Sequence, residues 1–249
     1  SNLSIDDLTT DLSFNENGSN NIAASIIASG ARYKSIYKKQ SSIHINGNLA
    51  KHTINIDSKS GINDTSFMSV IEGSYNYQAN DQNWSAKIVK LALNDKYSNL
   101  TIAKPDNITV SNNKITNNQL CLVNKEQLIC TKLMLDTRNL SWQAQVQSDH
   151  FELNNLSPLN FLNDLITTTS GAIRGDITIR SDKLGNISQH GSLSIKDAEL
   201  YLKTQNIYPK LSYLNINSNN HTSTITGEII SENKNKASIA GSIKTKNKF

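Results

Sequence analysis

Apolar and polar residues alternate in short runs down almost the whole chain. Within residues 41–49, Ile43 and Ile45 alternate with Ser42, His44 and Asn46, and Leu49 follows Gly47. Ile54 and Ile56 continue the pattern within residues 52–57. The same period recurs at Leu100 with Ile102, Ile108 with Val110, and Leu133 with Leu135. It returns in the run from Ile173 through Ile177 to Ile179, at Leu193 with Ile195, at Leu200 with Leu202, and at Leu214 with Ile216. A period of two sends successive side chains to opposite faces, so each run predicts a strand that buries one face. Asn-Gly, Asp-Lys, Asn-Asn and Gly-Asn pairs separate the runs and suit tight turns, because Gly and Asn tolerate positive φ. The pattern predicts an all-β chain of antiparallel strands following one another.

Two segments depart from it. Near residues 84–93 the apolar positions change parity, from Trp84, Ala86 and Ile88 to Val89, Leu91 and Leu93, which predicts a β-bulge. In residues 157–167, Ser157 suits an N-cap and Pro158 the first helical turn, with Leu159, Leu162, Leu165 and Ile166 at spacings of three and four. A short amphipathic helix is expected there. The expected division is an N-terminal strand set at 1–155, a helix or linker at 156–169, and a C-terminal strand set at 170–249 continuing the same sheet.

Composition narrows the function classes. Hydrophobic residues make up 37% of the 249, and aromatics only 6%, which leaves few large side chains to fill a thick core. The net charge is +4, with Lys and Arg interspersed singly among Ile and Leu. Nucleic-acid binding needs them gathered on one face beside aromatics, so no nucleic-acid partner is expected. No run approaches the ~20 apolar residues that span a bilayer. The chain opens directly into a strand-like pattern and reads as a piece of something longer; if the parent is exported, its signal or anchor lies outside this piece.

The order of certain residues resembles the TamB family, which belongs to the AsmA-like superfamily. Gly47-Asn48-Leu49-Ala50-Lys51-His52, followed by Ile54 and Ile56, resembles its G-x-L-x-x-H strand pair. Gly73 and then Trp84 before Ile88–Leu93 resemble its next unit, and Cys121 to Cys130 its cysteine pair around a short hairpin. Trp142 ahead of residues 151–158, and the glycine-punctuated stretch from Gly171 to Leu202, complete the order. The resemblance implies a periplasmic segment of an inner-membrane-anchored protein of a Gram-negative bacterium. It implies an elongated antiparallel sheet curled into a U-shaped, β-taco-like trough. An Omp85-type, TamA-like partner and the membrane anchor would engage regions outside this chain.

The remaining chemistry-bearing residues give little. Cys121 and Cys130 bracket Asn124-Lys125-Glu126; a structural disulfide is expected, with two buried free thiols, or redox or metal chemistry, as alternatives. His44, His52, His150, His190 and His221 show no metal-ligand spacing, although His44 and His52 could face each other across a hairpin. No nucleophile elbow, phosphate loop or dinucleotide fingerprint is present, and neither catalysis nor a cofactor or metal is expected.

The alternating Ile and Leu therefore carry the functional expectation. The residues alone leave two readings open: the inner face of a closed sandwich, or the lining of an unclosed trough. The family resemblance favours the trough, with phospholipid acyl chains lying on Ile43, Ile45, Ile54, Ile56, Ile88, Ile177, Ile179, Leu193 and Ile195. The rival is an assembly factor that offers an open sheet edge to outer-membrane β-barrel and autotransporter strands. A right-handed β-helix or adhesin-like passenger is a third, weaker reading. The Lys-rich end from Glu232 to Phe249 reads as a solvated strand face.

Overall fold

The computed structural model describes residues 4–15, 21–33, 36–60, 65–78, 81–95, 98–111, 113–125, 127–154, 166–168, 170–202, 208–231 and 233–244. It is all-β and antiparallel, and it divides into two compact units, Ser1–Asn118 and Gln119–Phe249.

In the first unit the strands follow chain order. They are β1 (Asp7–Asn15), β2 (Asn21–Tyr33), β3 (Ile36–Gly47), β4 (His52–Ser60), β5 (Ser66–Gln78) and β6 (Asp81–Asn94). Each pairs with the next. The far side of β6 is shared by two short strands. Its Ala92–Asn94 pair with β7 (Asn99–Ile102), and its Asn83–Ile88 with β8 (Asp106–Ser111), which pairs in turn with β9 (Lys114–Asn117). The bulge expected in β6 is present. Val70 pairs with Lys90 and Ile71 with Ile88, so Val89 is passed over. One unpaired residue lets Ile88 and Leu91 point to the same face despite being three apart.

The second unit opens with the hairpin of β10 (Leu120–Asn124) and β11 (Gln127–Asp136) and continues through β12 (Ser141–Glu152) to β14 (Ala172–Ser181). Then come β15 (Ile187–Leu202), β16 (Lys210–Asn220), β17 (Thr222–Ile230) and β18 (Lys236–Lys244), each paired with its predecessor. The short β13 (Ile166–Thr168) pairs with β15 at Leu200–Leu202 in the register that β14 keeps further along it. Ile166 and Thr167 are thus strand residues, which corrects the expected end of the helix. Residues 157–165 of that expectation lie outside the described residues. Pairing along β15 competes for these two residues and satisfies their backbone groups.

Gly175 and Gly191 hold β14 and β15 close together. Their φ values are +137° and +121°, and a Cβ on either would come within 2.1 Å of a carbonyl oxygen, that of Ser192 or Asp176 respectively. Only glycine fits there.

Candidate functional site

Register places the predicted residues of the first unit on one face. Ile26, Ile43 and Ile56 stand side by side across β2, β3 and β4. Two residues along, Ile45, Ile54, Ile71 and Ile88 form a second row across β3 to β6. Directly opposite side chains on one face sit about 4.5–5.5 Å apart, so the two rows form a continuous apolar surface. Ile88 is buried at 6% exposure, Ile45, Ile54, Ile56 and Ile71 are half-buried, and Ile43 and Ile26 are 37% and 44% exposed. The opposite face carries His44, Asn55, Asp57, Glu72 and Lys87. His44 and His52 therefore point to opposite faces, and the expected chance of their facing each other is corrected. His44 is opposite Asn55, and His52 is opposite Gly47.

At one end of this face the family-like motif residues converge. Gly47, at φ +123°, brings the turn so close that a Cβ would meet the Lys51 carbonyl oxygen at 2.3 Å. The Lys51 amide donates to the Asn48 side chain at 2.8 Å and closes the turn. His52 then reaches over Gly73, where a Cβ would collide with Nε2, and accepts from Trp84 Nε1 at 2.8 Å. With Nε2 accepting, the proton belongs on Nδ1, which faces the Asn48 carbonyl at 3.2 Å. The two rings lie nearly parallel, 16° apart, and tie β4 to β6 across β5. At the other margin of the face, Asp106 is opposite Ile88 and is 4% exposed, with Asn117 Nδ2 donating to it at 3.0 Å.

The second unit repeats the arrangement within itself. Ile173, Ile195 and Leu214 form one row, Leu193, Ile216 and Ile225 a second, and Val146 with Ile177 a third. Ile179 shares this face. Ile177 is 7% exposed, while Ile179, Leu193 and Ile195 are half-buried. A neutral polar cluster interrupts it: Gln189 Nε2 donates to Ser223 Oγ, which lies 2.8 Å from Ser218 Oγ. Cys121 and Cys130 are joined by a disulfide on the other face, as expected, with both residues about 5–6% exposed.

Ile26, Ile71, Ile225 and Val146 belong to these rows but escape the period-two reading, which includes Ile216. Ile71 is hidden in the contiguous run Phe67-Met68-Ser69-Val70-Ile71, whose alternation is visible only once its partners are known. An open depression of about 590 Å³ lies instead at the β12 irregularity, lined by Gln147, Asp149, His150, Arg174 and Asp176 among others. His150 pairs there with Glu152 at 3.1 Å, and Asp176 accepts from Gln145 at 2.9 Å. No group of three His, Cys, Asp or Glu able to hold a metal is found among the described residues.

Half-exposed isoleucine surface offers burial to a ligand without directional demands. Fully burying such a side chain is worth about 1.5–3 kcal/mol, so each half-exposed one leaves roughly 1 kcal/mol for an occupant. The family model described as TamB, N-terminal domain, matches residues 1–248. No curated protein and no solved structure matches the chain.

Proposed function

Since this chain belongs to the TamB family, through that family's N-terminal domain, we propose that it carries phospholipid acyl chains on the apolar faces of its two units. The observation that supports this best is the pair of aligned isoleucine rows in the first unit. They are contiguous across neighbouring strands, yet left largely half-exposed. An acyl chain needs apolar area, not directed hydrogen bonds, and could lie along such rows. The polar groups on these faces are largely satisfied within them. His52 accepts from Trp84, Gln189 with Ser223 and Ser218 forms a closed cluster, and the carboxylate of Asp106, at the margin of the first face, is buried and bonded to Asn117, so a hydrocarbon passing them leaves few polar groups newly unpaired. Such a role requires no chemistry and no cofactor. It fits a periplasmic segment of an anchored envelope protein, with a TamA-like partner met elsewhere.

Native mass spectrometry of the purified chain tests the reading: retained phospholipid is expected. Ile54→Asp should abolish retention, and Asn55→Asp, one residue on and facing the other way, should leave it intact. Equal retention by both variants would overturn it. The edge-pairing alternative would employ a strand such as β18, whose side chains are all exposed but Ile239. Lys236 and Lys244 at its two ends are the residues that sheets place on edges to resist such pairing, so the lipid reading is favoured.

A further inference from the structure

One polar contact on the apolar face of the first unit holds only while a single ring stays uncharged. Trp84 Nε1 donates to His52 Nε2 at 2.8 Å. The ring planes lie 16° apart with centroids 6.2 Å from each other, as a bond directed along both planes requires. An indole nitrogen donates and never accepts, so Nε2 must offer its in-plane lone pair. The proton of the neutral ring then sits on Nδ1, 3.2 Å from the Asn48 carbonyl oxygen. A second proton has only Nε2 to go to, and there it points at the indole N–H.

The surroundings give that proton no other partner. Among the described residues His52 makes no ion pair. On its own strand Asp57 is turned to the other face, and Lys51, beside it in the turn, is an exposed cation. β3 sets Gly47 opposite His52 and turns His44 away. β5 sets Gly73 opposite it, turns Glu72 away and brings Tyr75, a neutral phenol, to the same side. β6 brings Trp84 and Ala86 and turns Lys87 away. Asp106 of β8 shares the face but stands three strand spacings off, or about 14 Å. Asn117 already donates to it at 3.0 Å.

Position makes the contact matter. Gly47, His52, Gly73 and Ala86 form a row across β3 to β6, next to the row of Ile45, Ile54, Ile71 and Ile88. Its two glycines bring no side chains. The His52 ring, reaching over Gly73, and the half-buried Trp84 therefore cover this end of the apolar face.

We propose that His52 and Trp84 form an acid-released latch: a proton on Nε2 breaks their bond, frees the indole and uncovers the end of the isoleucine rows. Imidazole is the side chain that changes charge between about pH 8 and pH 5, so acidification across that range is the signal that opens it. The inference rests on the geometry of the pair and stands whether or not acyl chains occupy the face.

Proton NMR of the 249-residue chain follows the indole protons of its two tryptophans, with Trp142→Phe identifying the Trp84 signal. Between about pH 8 and pH 5, protection of the Trp84 indole proton, corrected for intrinsic exchange, should fall about tenfold, the equivalent of one hydrogen bond. Trp142 should hold its own. His52→Gln keeps an acceptor near the place of Nε2 but takes up no proton, so its Trp84 protection should change less than about twofold. Constant Trp84 protection in the parent overturns the proposal. An equal fall in His52→Gln also overturns it, because another group is then responsible. So does an equal fall at Trp142, which makes the change a general loosening in acid. The parent's two signals decide the matter even if His52→Gln does not fold.

Discussion

Trp84 donates its indole proton to His52 across the bare backbone of Gly73, at 2.8 Å. The bond joins two strands that are not neighbours and pins one end of the apolar face. Trp84→Phe keeps most of the ring's volume but leaves Nε2 of His52 without its donor. A cost of about 1–2 kcal/mol is expected in chemical denaturation. In a double-mutant cycle with His52→Leu, the second change should cost less than it does alone.

Gly191→Ala should be among the most damaging single changes in the second unit. The new methyl meets the Asp176 carbonyl at 2.1 Å and the backbone stands at φ +121°, so both sterics and strain oppose it. A loss of about 3 kcal/mol or more is expected from thermal unfolding. Gly185→Ala has open space but φ +79°, and should cost about 1–2 kcal/mol. If the two cost the same, the close approach of β14 and β15 is not the cause.

Opening the Cys121–Cys130 link should free β10, which has only five residues. Cys121→Ser with Cys130→Ser is expected to cost about 2.5 kcal/mol by loop-closure entropy. Hydrogen exchange should locate the loosening in Leu120–Asn124 first. Protection lost uniformly along the second unit would contradict this local role.

Asp182 is held below its ordinary pKa of 3.8, first by the Asn186 side-chain amide and then by the Asn186 backbone amide; desolvation opposes them, and the Leu184 and Gly185 amides add less. A depressed folded value means the turn gains stability from the carboxylate above 3.8 and loses it as pH falls through the folded value. An NMR titration should place the carboxyl midpoint below 3.8, with the Asn186 side-chain amide signal following it. A midpoint above that value would rule out the turn's hydrogen bonds as the cause.

Deleting Val89 should do little more harm than trimming it. Val89→Ala trims a half-buried side chain and should cost about 1 kcal/mol. Deletion removes the residue that β5 passes over and leaves Ile88 and Leu91 two apart, so Trp84, Ala86 and Ile88 keep the face of Leu91 and Leu93 in an unbroken ladder. Circular dichroism and denaturation should show the deletion variant folded and within about 2 kcal/mol of the parent, and a collapsed fold would mean that the bulge itself is required.

Much of this was legible because period-two burial writes itself into local sequence. Ile43, Ile45, Ile54 and Ile56 alternate openly, and the slip at Val89 shows as a break in parity. The rest depends on partners distant in the chain. Nothing near His52 announces Trp84, 32 residues away. Gly175 and Gly191 look like any strand glycines until their register sets each against a carbonyl. Ile166 and Thr167 fit a helical spacing locally, but β15 offers them a ladder that a local reading could not include.

From β1 to β6, every strand has its immediate predecessor as a partner. Loop closure between such neighbours spans few residues, so each hairpin can form without waiting for the far end of the chain. A polypeptide emerging from one terminus can then zip up progressively, keeping its greasy rows from lingering uncovered as a long unpaired ribbon.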